Sequence, residues 1–289
     1  MSSEAITTEP AATTPRRPND QSSQPRIPYR ATVQRVQELT PSMVRVVVGG
    51  ADLARFAEKY DGSEATDAYV KVVFLTPGVT YPQPLDLATV RTALPREHQP
   101  RLRTYTVRAF DRVALELTLD FVVHGDSGLA GPWAAQAAVG DELLLLGPGG
   151  GYRPDADADW YLFVGDESAI PAIAVAAERL PDGARAQILI EVHDAADEVA
   201  INTTADVTWL HRGDAPVGSR VVDEVNALTF PTGRVDAFVH GEAGFVKQLR
   251  RLLLNERGVA REQLSISGYW RLGSDDEAWR AAKAEWARD

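Results

Sequence analysis

The apolar pattern changes character near Tyr152, and that change restricts the chain to few architectures. Ahead of it lie short runs of β character: Arg30 to Val36, Met43 to Val48, Tyr69 to Leu75, Arg103 to Arg108, Ala114 to Val123 and Glu142 to Leu146. Turn residues separate them, and Val113 to Leu119 alternates as a half-buried strand does. Several short strands with few helical runs predict a small antiparallel β-barrel over residues 27–152. Beyond a polar link, Asp155 to Asp159, strands and helices alternate. Trp160 to Val164, Gln187 to Val192, Val207 to His211, Val235 to Val239 and Leu264 to Ser267 read as strands. Ala169 to Leu180 and Glu242 to Glu256 read as helices, the second with an apolar stripe of Phe245, Leu249, Leu252 and Leu253. Such alternation predicts a parallel-sheet α/β nucleotide-binding domain over residues 153–289, closed by a tail helix carrying Trp279 and Trp286.

Two segments stand outside these patterns. Residues 1–26 are rich in Ser, Thr, Pro and Ala and read as a disordered tail. Thr76 to Pro100 holds five prolines and little periodicity, which predicts a long surface excursion lying over the active site. Gly147 to Tyr152 lacks the lysine and hydroxyl of a phosphate loop, so it reads as a hinge.

The chain has no cysteine, which excludes disulfides, thiolate catalysis and sulfur-ligated zinc or iron clusters. Any redox role therefore needs an organic carrier, or a metal held by nitrogen or oxygen. The five histidines show no close metal-ligand spacing, and no structural metal is expected. A net charge of −11 argues against nucleic acid as the main partner, and an anionic substrate would need a local basic patch. No apolar run approaches the ~20 residues that span a bilayer. The N-terminus lacks an apolar signal core, so no membrane insertion and a cytoplasmic location are expected.

One segment carries concentrated chemistry. Arg103-Thr104-Tyr105-Thr106-Val107-Arg108 packs two guanidiniums, a phenol and two hydroxyls into a β-type run. Arginine forks suit phosphate oxygens, and a tyrosine ring can lie against a flavin. Simple alternation places Arg103 and Tyr105 on one face and Thr106 on the other, so twist or a backbone contact is needed for one ligand to touch all three. The alternative is an exposed strand with surface arginines.

Further motifs follow in order: Asp120 to Ala134 with its run Gly128-Leu129-Ala130-Gly131-Pro132-Trp133, then Gly165-Asp166-Glu167-Ser168-Ala169-Ile170-Pro171, His240-Gly241-Glu242-Ala243 and Ser267 to Gly273. With the arginine–tyrosine–threonine strand, these make the chain from about Tyr29 to Gly273 resemble the siderophore-interacting protein family, the ferric-siderophore reductases of the ferredoxin-reductase superfamily. The resemblance implies an FAD-binding barrel followed by a nicotinamide-binding α/β domain. It implies that Arg103 meets the FAD pyrophosphate, Tyr105 packs on the isoalloxazine and Thr106 approaches N5. It places His124, Gly128, Ala130, Gly131 and Trp133 near the flavin phosphates. Here Leu129 replaces the family's proline and Gly131 its serine, which puts flavin affinity in question. Asp166, Glu167 and Ser168 stand at a strand-to-helix turn suited to a nicotinamide nucleotide, with helix capping by Ser168 as the plain alternative. Arg212 is either a 2′-phosphate partner or a solvated arginine. Lys71 and Arg271 match basic residues that the family uses near the ferric siderophore. Their alternatives are an exposed edge-strand lysine and an ion pair with Asp275 or Asp276.

The implied reaction runs from NAD(P)H through FAD to Fe(III) held by a siderophore, with the cofactor carrying the chemistry and no catalytic acid or base. Two rivals are a reduced ferredoxin as donor, and a siderophore-binding module without turnover.

Overall fold

A computed structural model describes residues 25–60, 65–125 and 128–288; the expected tail, up to residue 24, lies outside the described residues. Seven strands come first: β1 (Tyr29–Thr40), β2 (Met43–Gly49), β3 (Tyr69–Phe74), β4 (Arg101–Thr106), β5 (Ala109–Asp111), β6 (Glu116–Val122) and β7 (Glu142–Gly149). They form one antiparallel sheet in the order β4-β3-β7-β1-β2-β6-β5. Along β1 the side chains of Tyr29, Ala31 and Val33 turn inward while Arg30, Thr32 and Gln34 face water, the period-two pattern of a half-buried strand. The sheet curls toward closure: Val107 N–H donates to Ala68 O and Arg108 N–H to Thr118 O, so the end of β4 approaches β6. No ladder joins β4 to β6 among the described residues, which leaves β4 at an open edge.

Three short helices were not legible as helices: α1 (Leu53–Lys59), α2 (Leu87–Ala93) and α3 (Ala130–Gln136). Helix α1 plugs one end of the curled sheet, with the Phe56 ring 5.8 Å from Tyr29 and 5.0 Å from Phe110. The strand expected from Ala114 starts only at Glu116. Asp111 Oδ1 accepts both the Val113 and Ala114 N–H, which makes residues 111–115 a tight turn.

The excursion from Thr76 to Pro100 does not cover the active-site cleft described below, contrary to the expectation. Tyr81, Leu85 and Val90 instead pack on Val73, Leu144 and Leu146, the outward-facing side chains of β3 and β7. Those apolar residues need cover from water, and the segment supplies it.

The second sheet comprises β8 (Trp160–Asp166), β9 (Ala186–Val192), β10 (Val207–His211), β11 (Val235–Glu242) and β12 (Leu264–Trp270), all parallel, in the order β10-β9-β8-β11-β12. Helix α4 (Ile170–Ala177) covers one face; α5 (Ser219–Ala227), α6 (Ala243–Arg251) and α7 (Asp276–Trp286) cover the other. All residues of β8 and β11 are buried, as expected for central parallel strands.

The two sheets share a core. Met43 of β2 joins Phe163, Ile173 and Phe238 in one apolar cluster. Polar ties reinforce the contact: Ser42 Oγ to Asp197 Oδ1 at 2.6 Å, Arg108 to both Glu178 oxygens at 2.9 and 2.5 Å, and Tyr152 OH to Asp236 Oδ2 at 3.0 Å. Among the described residues no helix is long and apolar enough to cross a membrane.

Candidate active site

A cleft of about 620 Å3 opens where the open edge of the first sheet meets the carboxyl ends of β8, β11 and β12, with α7 as its third wall. Its volume falls in the range of cofactor pockets, roughly 300–1,000 Å3. Arg103, Thr104, Tyr105 and Thr106 all line it. Alternation alone cannot bring four consecutive residues to one ligand. The edge position of β4 does so, because the cleft wraps around a strand with one unpaired side.

Tyr105 lies over Phe121, with ring centroids 4.1 Å apart, and burial pushes its phenol well above the ordinary value. It is a neutral, flat wall. Arg103 is mostly buried and clasped by α7: its guanidinium donates to both oxygens of Glu277 at 2.7 and 3.0 Å, and to Asp276 Oδ2 at 3.1 Å. The Arg103 hydrogen bond holds Glu277 below the usual carboxylate range.

Lys71 of β3, the ladder partner of Thr104, lines the same cleft with Arg280 and Lys283 of α7. Burial, then the field of Arg280, lowers the Lys71 pKa. Burial lowers Lys283 as well. Lys71 is half-buried in the cleft lining. Arg280 and Lys283 were missed from sequence, although Asp276, Trp279, Arg280 and Lys283 recur at the spacing of one helical face.

Arg271 does not join this group. It is exposed and lines a separate pocket of about 260 Å3 with Lys247 and Glu285. Asp276 is held by Arg103 and Arg280 instead. Gly128, Ala130, Gly131 and Trp133 also lie outside the cleft lining. Trp133 buttresses Phe121 at 5.5 Å and so supports Tyr105 from behind. A Cβ at position 131 would stand 3.1 Å from Val122 O, a tight approach to the β6 backbone.

His124 lines the cleft 6.4 Å from the Trp270 ring, its pKa lowered by burial and then by Arg212. Glu167 and Ser168 reach the lining; Asp166 does not. Asp166 is fully buried, with Ser168 and Glu242 N–H, the Ser168 hydroxyl and Trp270 Nε1 all donating to its oxygens. Burial, then the charge of Glu167, raises its pKa to about 6. Arg212 is paired with Glu167 at 2.6 Å, beside the cleft and not in its lining.

His240 was quoted only as part of a motif, and the structure places it in the cleft wall. Its ring sits 3.9 Å from Phe238 and 4.8 Å from Tyr269, with Nε2 3.2 Å from Ser265 Oγ. Burial, reinforced by Lys283, pushes its pKa down to about 3. An unfolded imidazole titrates near ~6.5. Between these values the unfolded chain binds a proton that the folded chain refuses. Stability therefore rises with pH through this window and is fully present above it. From pH 7 to pH 5 this group alone is expected to cost about 2 kcal/mol. In His240→Phe that part of the loss should vanish in denaturant titrations at the two pH values. An unchanged loss would contradict a neutral buried ring.

The donor set suits a flavin. The wall is aromatic, and an arginine fork stands at one end. Two buried ring nitrogens of cleft-lining residues, His240 Nδ1 and Trp279 Nε1, have no partner among the described residues.

Comparison with known proteins agrees with this reading. Residues 32–152 match the model of the siderophore-interacting FAD-binding domain, and residues 158–273 that of the siderophore-interacting protein. The chain is 33% identical to a ferric vibriobactin reductase of Vibrio cholerae over 85% of its own length and 90% of the relative's. It is 29% identical to an NADPH-dependent ferric-chelate reductase of Escherichia coli, over 83% and 91% of the two chains. A solved siderophore utilization protein from T. fusca superposes with a TM-score of 0.74 at 38% identity, covering 88% of this chain and 96% of that one.

Proposed function

The chain belongs to the siderophore-interacting protein family, and from that premise we propose that it is an FAD-dependent ferric-siderophore reductase acting in the cytoplasm, with NAD(P)H as donor. One observation carries the reading: the open edge of β4 turns Arg103 to Thr106 into a single cleft lined also by Lys71, Arg280 and Lys283. FAD held here would supply the relay between a two-electron nicotinamide donor and the one-electron acceptor Fe(III), chemistry that no side chain here supplies.

The side chains hold and orient. Tyr105 offers a flat uncharged face, and its contact with Phe121, backed by Trp133, keeps that face rigid. Arg103 supplies the fork for a pyrophosphate, which would compete for it with Glu277. Thr106 presents a hydroxyl from the buried end of β4. Lys71, Arg280 and Lys283 supply the basic patch that an anionic ferric chelate needs on a chain of net charge −11. The iron needs no protein ligand, since approach to the flavin edge suffices.

The test mixes purified protein, FAD, NADPH or NADH, a ferric siderophore and a ferrous chelator. Fe(II) is expected to form with at least one donor, and its absence with both would remove the nicotinamide-driven activity. A flavin left oxidised by both nucleotides yet reduced by ferredoxin would move the donor role to that protein.

A further inference from the structure

Besides the cations Lys71, Arg103, Arg280 and Lys283, four carboxylates line the cleft among the described residues. Three of them are held from outside the lining. Asp120 accepts Arg45 at 2.7 and 2.8 Å, one bond to each oxygen. Glu167 accepts Arg212 at 2.6 Å, and Asp67 Oδ1 accepts Gly151 and Tyr152 N–H, both at 2.8 Å. Asp276 differs. Its Oδ2 lies 3.1 Å from Arg103 Nη1 and 3.7 Å from Arg280 Nη1, so its ion partners are cations of the cleft itself.

Asp276 opens α7 and stands on the same helical face as Arg280. Burial lowers the pKa of both Lys71 and Lys283, and at each the charge of Asp276 works against that fall. One carboxylate is thus felt by every cation of the lining. On the reading above, a pyrophosphate takes Arg103. Asp276 then keeps Arg280, and Lys71 and Lys283 remain for the chelate. An incoming anion meets two attracting lysines and a carboxylate that holds the remaining guanidinium. The repulsion from Asp276 grows in proportion to the negative charge on the chelate and acts little on a neutral one.

We propose that Asp276 sets the charge selectivity of the cleft: by competing for Arg280 it holds back highly anionic ferric chelates relative to neutral ones. It is a positioning residue, acting through Arg280 and the two lysines and not on the iron. The inference rests on the ferric-siderophore reading above and deepens it, because the substrate class is then graded by net charge.

The experiment loads the wild type, Asp276→Asn and Glu277→Gln with FAD. Calorimetry then gives the affinity of each for a neutral tris-hydroxamate and a trianionic tris-catecholate of gallium(III), which stands in for iron without being reduced. Asparagine keeps the shape of Asp276 and drops its charge. Asp276→Asn should bind the trianion about tenfold more tightly than the wild type does, and the neutral chelate within about twofold. Glu277→Gln loosens the same hold on Arg103 without touching Arg280, so both of its affinities should stay within about twofold of the wild type. An equal shift for both chelates, no shift for the trianion, or the same selectivity change in Glu277→Gln overturns the proposal. If neither chelate binds the wild type, the siderophore reading has failed and the inference falls with it. Binding with the expected selectivity but no Fe(II) from the ferric chelates leaves the inference standing and removes only the reductase activity.

Discussion

Arg103→Ala is expected to weaken FAD binding by about 100-fold, read as quenching of flavin fluorescence on titration. Two losses combine. The fork that suits a pyrophosphate disappears, worth about 1.5–3 kcal/mol for hydrogen bonds to a charged group. Asp276 and Glu277, until then neutralised by that guanidinium at 2.7 to 3.1 Å, are left facing the incoming phosphates. Glu277→Gln isolates the second term. It keeps the helix and removes one of the two carboxylates holding Arg103, so FAD should bind a few-fold more tightly than to the wild type. Weaker binding in Glu277→Gln would mean that the carboxylate aims Arg103 and does not compete for it. Unchanged affinity in Arg103→Ala would remove the Arg103 fork from the flavin site.

Lys283→Glu is expected to raise the KM for an anionic ferric siderophore by about 30-fold, while reduction of ferricyanide by the loaded protein changes far less. Lys283 is buried enough for its pKa to fall, and it shares the cleft with Lys71 and Arg280. Reversing its charge replaces an attraction by a repulsion in a poorly solvated place, about 2 kcal/mol. Arg271→Glu serves as the comparison, since that exposed side chain lines the other pocket. A larger effect at Arg271 than at Lys283 would relocate the substrate face.

The strands were legible because alternation and apolar runs are local signals. Tyr29, Ala31 and Val33 announce β1, and β8 announces itself as a strand buried on both faces. The site was legible in part. Arg103, Tyr105 and Thr106 stood out by residue type, but their convergence depends on β4 being an edge, and strand order is a property of the whole sheet. Arg271 drew attention by following Tyr269 and Trp270. In the fold Trp270 turns inward, its Nε1 on Asp166, and the next side chain faces water. Arg280 and Lys283 sat on a readable helical face, yet nothing local says that this face meets a strand more than 170 positions earlier in the chain. The contact of Glu191 with the start of α5 is equally non-local, because Gly218, Arg220 and Val221 become its neighbours only once the parallel sheet has formed.

Trp270 and Trp279 stand in the cleft wall, and Trp279 touches Trp286 at 5.5 Å. The protein therefore carries its own optical gauge. Flavin absorbs where indole emits, so arrival of the cofactor should dim these tryptophans, and loading can be followed in unlabelled protein without waiting for a turnover.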